Sequence, residues 1–217
     1  MKISASFLGT KNIAKTLMDL NITDVDYIHV DIMDGKYVKN KTISFHELSN
    51  ITYYTRKRLD VHLMVLNPLK VIDSYATLNV EYLTFHINIQ DNLEHIFKRC
   101  RDYGIKIGLA INPDDDVSIV YPYLDKIDLV LLMSVNPGLP GQEFIKETIK
   151  KIKPLKEEIN KRNVNVLLSM DGGITLDNVK EIQDIDILVS GSTITNSSNF
   201  QETINKLRSS KYSFANF

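Results

Sequence analysis

One cysteine in 217 residues, Cys100, rules out any intrachain disulfide, and so little thiol chemistry fits a reducing compartment. The residue itself reads as a packed or surface thiol rather than a nucleophile. An excess of either charge is missing too: 26 Lys and Arg stand against 27 Asp and Glu, for a formal net charge of −1. Without a basic surplus to neutralise a phosphate backbone, nucleic acid is excluded as the main ligand, and any anion must be caught locally. There is no run of about 18 apolar residues, and the stretch from Met1 to Gly9 is too short and too soon polar for a signal peptide. The expectation is a cytoplasmic protein that neither spans nor enters a membrane. No linker or low-complexity tract interrupts the chain, and 43% hydrophobic with 24% charged residues suits one globular domain over 1–217 with a single sizeable core.

Short β-rich runs alternate with longer helical patterns from end to end. The strands are read as Lys2–Ser6, Asp26–Asp31, Leu59–Met64, Val80–His86, Lys106–Ile111, Leu129–Ser134, Val164–Met170 and Ile185–Ser190. Between them, segments such as Ser44–Lys57, Asn92–Tyr103 and Glu143–Arg162 place apolar residues three and four apart, with Lys, Glu and Asp on the far face, the pattern of amphipathic helices. Every strand-to-strand interval leaves room for a crossover helix. Eight βα units without a boundary predict an α/β fold, a closed (β/α)8 TIM barrel of eight parallel strands with outer helices, rather than an open sheet with two edges to protect. Active sites of such barrels lie at the C-terminal strand ends, so polar residues there need a reason.

The run Tyr27-Ile28-His29-Val30-Asp31-Ile32-Met33-Asp34-Gly35 alternates so that His29 and Asp31 face the barrel interior while Ile28 and Val30 face the helices. Strand three repeats the arrangement with His62 in Asp60-Val61-His62-Leu63-Met64-Val65, and strand seven ends in Asp171 within Ser169-Met170-Asp171-Gly172-Gly173. Taken singly, these residues have bland explanations: a structural His–Asp hydrogen bond, a satisfied core histidine, an Asp capping the next helix. Together, His29, Asp31, His62 and Asp171 make a mixed N2O2 set suited to one divalent ion, Zn²⁺, Fe²⁺, Mn²⁺ or Co²⁺. His86, closing strand four, is either a support behind this set, a substrate group, or structural. Met33, Met64 and Met133 form either a soft apolar floor to the site or ordinary core.

Glycines offer the other half of a site, because backbone N–H groups approach an anion closely only where side chains are absent. Three rim loops qualify: Asn136-Pro137-Gly138-Leu139-Pro140-Gly141-Gln142, Gly172-Gly173 and Gly191-Ser192. The last two follow strands seven and eight, where these barrels frequently hold phosphate. A phosphorylated substrate is expected.

The motifs around His29–Gly35, Asp60–Val65, Thr84–His86, Met133–Gln142, Asp171–Gly173 and Ser190–Ser192, with Ser4-Ala5-Ser6 near the start, resemble those of ribulose-phosphate 3-epimerase in the same order along almost the whole chain. The resemblance implies a metal held by His29, Asp31, His62 and Asp171, with Asp31 and Asp171 as the acid-base pair. It implies that Ser6 and His62 touch substrate and that Gly138, Gly141, Gly172, Gly173, Gly191 and Ser192 surround its phosphate. The activity implied is reversible 3-epimerisation of D-ribulose 5-phosphate to D-xylulose 5-phosphate through a metal-stabilised 2,3-enediolate, in the pentose phosphate pathway. A homo-oligomer is expected. Three positions depart from the pattern: Pro140 where glycine or another small residue is usual, Lys39 where proline is usual, and Ala5 where proline is common. Two rivals remain beside this reading. An allulose-6-phosphate 3-epimerase would share the metal and both aspartates, although Gly173 leans toward the pentose enzyme. A non-catalytic phosphate-binding barrel would keep the fold alone, although no member of the ligand set is missing.

Overall fold

A computed structural model describes residues 1–42 and 45–210. Eight parallel strands, β1 (Lys2–Ser6), β2 (Tyr27–Met33), β3 (Arg58–Met64), β4 (Val80–His86), β5 (Lys106–Ile111), β6 (Leu129–Met133), β7 (Leu167–Asp171) and β8 (Ile187–Ser190), close in sequence order into a barrel. Because successive side chains point to opposite faces, each strand serves two cores. Ile28, Val30, Leu63, Phe85 and Leu109 pack outward against the helices. Tyr27, Tyr82, Ala110, Leu129, Leu131, Met133, Ile187 and Val189 fill the interior.

The outer layer contains α1 (Ile13–Asn21), α2 (Phe45–Ile51), α3 (Ile72–Tyr75), α4 (Leu93–Asp102), α5 (Ile152–Arg162), α6 (Ser192–Thr195) and α7 (Phe200–Ser209). Asn92 caps α4 by accepting from Glu94 N and His95 N, while Ile96, Phe97 and Cys100 face the barrel. Burying one such large side chain stabilises by roughly 1.5–3 kcal/mol, against about 1 kcal/mol for a cap. Packing therefore holds this helix in place, and the cap sets where it begins.

The barrel and all eight strands are as expected, with shifted ends. Asp26 and Asp186 stand outside their strands because their carboxylates accept the backbone N–H of Ile3 and of Leu168, at 2.9 and 2.8 Å. Asp128 does the same for Ile107 at 2.8 Å, so an aspartate ahead of β2, β6 and β8 pins the start of the strand before it. β7 starts at Leu167 because α5 ends on Asn163 in the left-handed conformation, leaving 164–166 as the connection. The expected helix Glu143–Arg162 is a 3-10 segment, Lys146–Lys151, running into α5. After β5 and β7 the crossovers hold only 3-10 turns, Val117–Tyr123 and Asn178–Glu181; Pro122 inside the first cannot donate to a longer helix. Of the expected helix Ser44–Lys57, Ser44 lies outside the described residues, and the observed helix stops at Ile51. Among the described residues no helix is long and apolar enough to cross a membrane.

The N-terminal end of the barrel is plugged. Tyr27 and Tyr82 meet edge to face at 5.6 Å between centroids, Lys2 Nζ donates to the Tyr27 hydroxyl at 2.7 Å, and Glu81 pairs with both Arg58 and Lys106. The cleft opens at the other end, among the C-terminal strand ends.

Candidate active site

Strand register builds the site. Along β2 and β3, His29 lies opposite Asp60, Asp31 opposite His62 and Met33 opposite Met64. Each of these pairs points inward, one layer above another, over the plug of Tyr27 and Tyr82. On the far side of the barrel Met133 pairs with Asp171. The hydroxyl of Ser134 donates to the main-chain oxygens of Asp171 and Gly172, at 2.8 and 2.7 Å, and so fixes the rim where β7 ends.

His29, Asp31, His62 and Asp171 converge there, each offering one ligand atom, all within 4.8 Å of one another. His29 Nε2 lies 3.3 Å from Asp31 Oδ1 and 3.6 Å from Asp171 Oδ2. His62 Nδ1 lies 3.2 Å from Asp31 Oδ1 and 3.9 Å from Asp171 Oδ2. Both imidazoles are fully buried, and His29 Nε2 has no hydrogen-bond partner among the described residues. A buried nitrogen without a partner is costly, and here it points at two carboxylates and a second imidazole. Two nitrogens and two carboxylate oxygens at these separations fit a first-row divalent cation.

The charges reinforce one another. Burial alone would make the His29 imidazole hard to protonate, but the carboxylates of Asp31 and Asp60 raise its pKa well above the usual range. Burial works against ionisation of Asp31 as well, yet His29 and His62 hold its carboxyl far below the ordinary carboxylate range. At Asp171 burial prevails and pushes the carboxyl up to about 6. Two carboxyls in one cavity are thus driven apart, as an acid and a base require.

Ser6 Oγ donates to Asp31 Oδ2 at 3.1 Å. The cleft above the four residues is lined by Ser6, Gly138, Gly141, Gly172, Gly173, Gly191 and Ser192 and also by Met33, Met64 and Met133. Asp31 and Asp171 line the same cleft, His29 and His62 lie buried beneath it, and the methionines border it. Gly173 adopts φ +63°, and a Cβ there would stand 2.6 Å from Phe144 N, so the close approach of the β6 and β7 loops needs glycine. Pro140 packs over Gly9 in the loop after β1, 3.3 Å from where a Cβ would be.

One residue went unrecognised in the sequence, and the place of another was left open between three roles. Asp60 Oδ2 lies 2.8 Å from His29 Nδ1 and accepts from Ser4 Oγ at 2.8 Å, a carboxylate that fixes which ring nitrogen of His29 faces the centre. The signal was present: Asp60 precedes His62 by two and shares its face. His86 does not line the cavity; it lies behind His62, and burial, with His62 beside it, keeps its pKa well below the ordinary imidazole range.

Fold and site together define a (β/α)8 barrel with a cluster of two His and two Asp, suited to a divalent cation, at its C-terminal mouth. Residues 2–195 match the ribulose-phosphate 3 epimerase family, and the chain belongs to this family of epimerases. It is 40% identical over 211 residues to the ribulose-phosphate 3-epimerase of Buchnera aphidicola subsp. Baizongia pistaciae, covering 95% of this chain and 91% of that protein. Identity is 34% over 219 residues to the ribulose-phosphate 3-epimerase of Helicobacter pylori, covering 99% and 100%, and 33% over 187 residues to that of Escherichia coli K12, covering 85% and 83%. Among solved structures, KGPDC from Streptococcus mutans superposes with a TM-score of 0.70 at 14% identity, covering 96% of each chain. The 3-hexulose-6-phosphate synthase of Salmonella typhimurium does so at 0.64 and 16%, covering 97% of this chain and 98% of that one. At such identities the likeness is one of fold alone.

Proposed function

We propose that the protein interconverts D-ribulose 5-phosphate and D-xylulose 5-phosphate by moving a proton at C3, with Asp31 and Asp171 as the two acid-base residues. The observation that carries this is the convergence of two buried carboxylates, from β2 and β7, on one centre with two imidazoles. Inversion at carbon needs a proton removed from one face and returned to the other, so one base is not enough. Whichever aspartate is ionised takes the C3 proton to leave a planar 2,3-enediolate; the other, protonated, delivers its proton from the opposite side, and the roles exchange with direction. His29, Asp31, His62 and Asp171 would hold a divalent cation, which would supply positive charge to offset that of the enediolate.

Around this step the remaining residues bind and exclude water. The Ser6 hydroxyl orients the Asp31 carboxylate and reaches substrate, as does His62. Met33, Met64 and Met133 present an apolar floor to the planar carbon skeleton. Backbone N–H groups at Gly172, Gly173, Gly191 and Ser192 receive the phosphate, joined by Gly138 and Gly141; Pro140 has no N–H to offer. The reading carries with it a cytoplasmic homo-oligomer working in the pentose phosphate pathway.

The experiment is a turnover assay on ribulose 5-phosphate and allulose 6-phosphate with one preparation of known metal content. Turnover of the pentose phosphate, lost to a chelator and restored by a divalent ion, is expected. Preference for the hexose phosphate, or inertness of the metal-loaded protein toward both, would refute the proposal.

A further inference from the structure

Behind His62, away from the mouth, its Nε2 lies 2.9 Å from Nε2 of His86, and both residues are buried, at 0% and 1% exposure. Two imidazole nitrogens at that distance share one proton, since two N–H groups or two lone pairs would repel. The other ring nitrogen of His62, Nδ1, is the one that faces Asp31 and Asp171. We propose that His86 is the positioning residue of His62: its Nε2 accepts the Nε2 proton of His62, and this turns an unprotonated Nδ1 onto the centre. The proposal rests on the reading of that centre as a metal site.

The two histidines are thus supported differently. His29 leans on the carboxylate of Asp60. Asp31, Asp60 and Asp171 already gather three carboxylates around the centre, and a fourth behind His62 would add buried negative charge. An imidazole acceptor fixes the tautomer without adding any. His86 is itself held: its ring stacks on Tyr37 with centroids 4.6 Å apart and planes inclined by 32°, and the Tyr37 hydroxyl accepts from Asn112 Nδ2 at 3.2 Å. Tyr37 is anchored through its N–H on Asp34 Oδ1, at 2.8 Å. The Asn112 N–H donates to Asp115 Oδ2 at 2.8 Å, and its carbonyl accepts from Lys151 Nζ at 2.9 Å. The loop after β2, itself tied to the loop after β5, therefore packs Tyr37 on the His86 ring and opposes a turn of the ring that would put Cε1 in place of Nε2.

The test is NMR on protein labelled with 15N-histidine, combined with zinc titration by competition. A scalar coupling between the Nε2 atoms of His62 and His86, carried across the shared proton, is expected in the wild type, with the proton on His62 once zinc is bound. His86→Phe keeps a ring against Tyr37 but has no acceptor, and should lose about 10–100-fold in zinc affinity. His86→Gln keeps an acceptor oxygen at similar reach and should recover most of it. Absence of the coupling in the wild type, unchanged zinc affinity in His86→Phe, or an equal loss in both variants would each overturn the proposal, and the first needs no variant to fold. A wild type that takes up no zinc would instead bring down the metal reading. The coupling in the metal-free protein would then decide alone, its presence keeping His86 as the partner of His62 and its absence removing that role.

Discussion

Asp31 and Asp171 come from strands separated by β1 and β8 around the barrel, the separation on which the proposed two-base scheme draws. Asp31→Asn and Asp171→Asn should each lower turnover by about 10³-fold or more, toward the upper end for a general acid-base group, with the far-UV spectrum unchanged. Exchange of the C3 proton with solvent at the wild-type rate in both variants would sink the two-base scheme. Asp60→Asn should weaken zinc binding by about tenfold or more while every direct ligand stays in place; a competition titration reads this, and an unchanged affinity would show that His29 needs no such support. Cys100 gives a control of another kind. Burial pushes its thiol up to about 12, so alkylation at pH 8 should be negligible in the native protein and complete in denaturant.

Among the elements, the connections after β2, β6 and β7 are built on one another. A Cβ on Gly138 would stand 2.9 Å from Val38 Cβ, Asn40 Nδ2 donates to Gly138 O at 2.8 Å, and Gln142 Nε2 donates to Asn136 O and Leu139 O at 2.6 and 3.0 Å. Gly173→Ala should cost about 1–3 kcal/mol through its positive φ and the clash with Phe144, and should raise KM for the phosphorylated substrate more than it lowers kcat. A thermal melt and a kinetic titration check the two halves. Wild-type values in both would mean the β7 loop tolerates a side chain that the geometry rejects.

For the molecule as a whole, closure of the barrel carries a pH signature at its base. Burial raises the Glu81 carboxyl, but Lys106 and Arg58 outweigh this and hold it below the usual carboxylate value. A carboxyl depressed in the folded state contributes stability that is full above its unfolded pKa, near 4.5, and lost as pH falls through the folded value. Its cationic partners are 63% and 49% exposed, so solvent screening limits the contribution to about 1 kcal/mol. Glu81→Gln should accordingly lower Tm by about 2–4 °C at pH 7, and the gap should close as pH falls through the depressed folded value. A gap that persists in acid would assign the loss to packing.

Much of this was legible in the chain itself. Alternation in Tyr27–Met33 sends His29 and Asp31 to one face whatever surrounds them, because the strand period is two, and eight βα units in a row leave a closed parallel barrel as the economical fold. The loops of glycine were readable because side chains are missing there. What the sequence by itself could not determine was which side chains lean on which across strands. Asp60 under His29 and His86 behind His62 depend on register and barrel closure, which bring residues 31 and 24 positions apart within hydrogen-bond distance. The four residues at the mouth were thus named by local pattern, and their supports by the tertiary fold, since pattern fixes where a side chain points and only packing fixes what it meets.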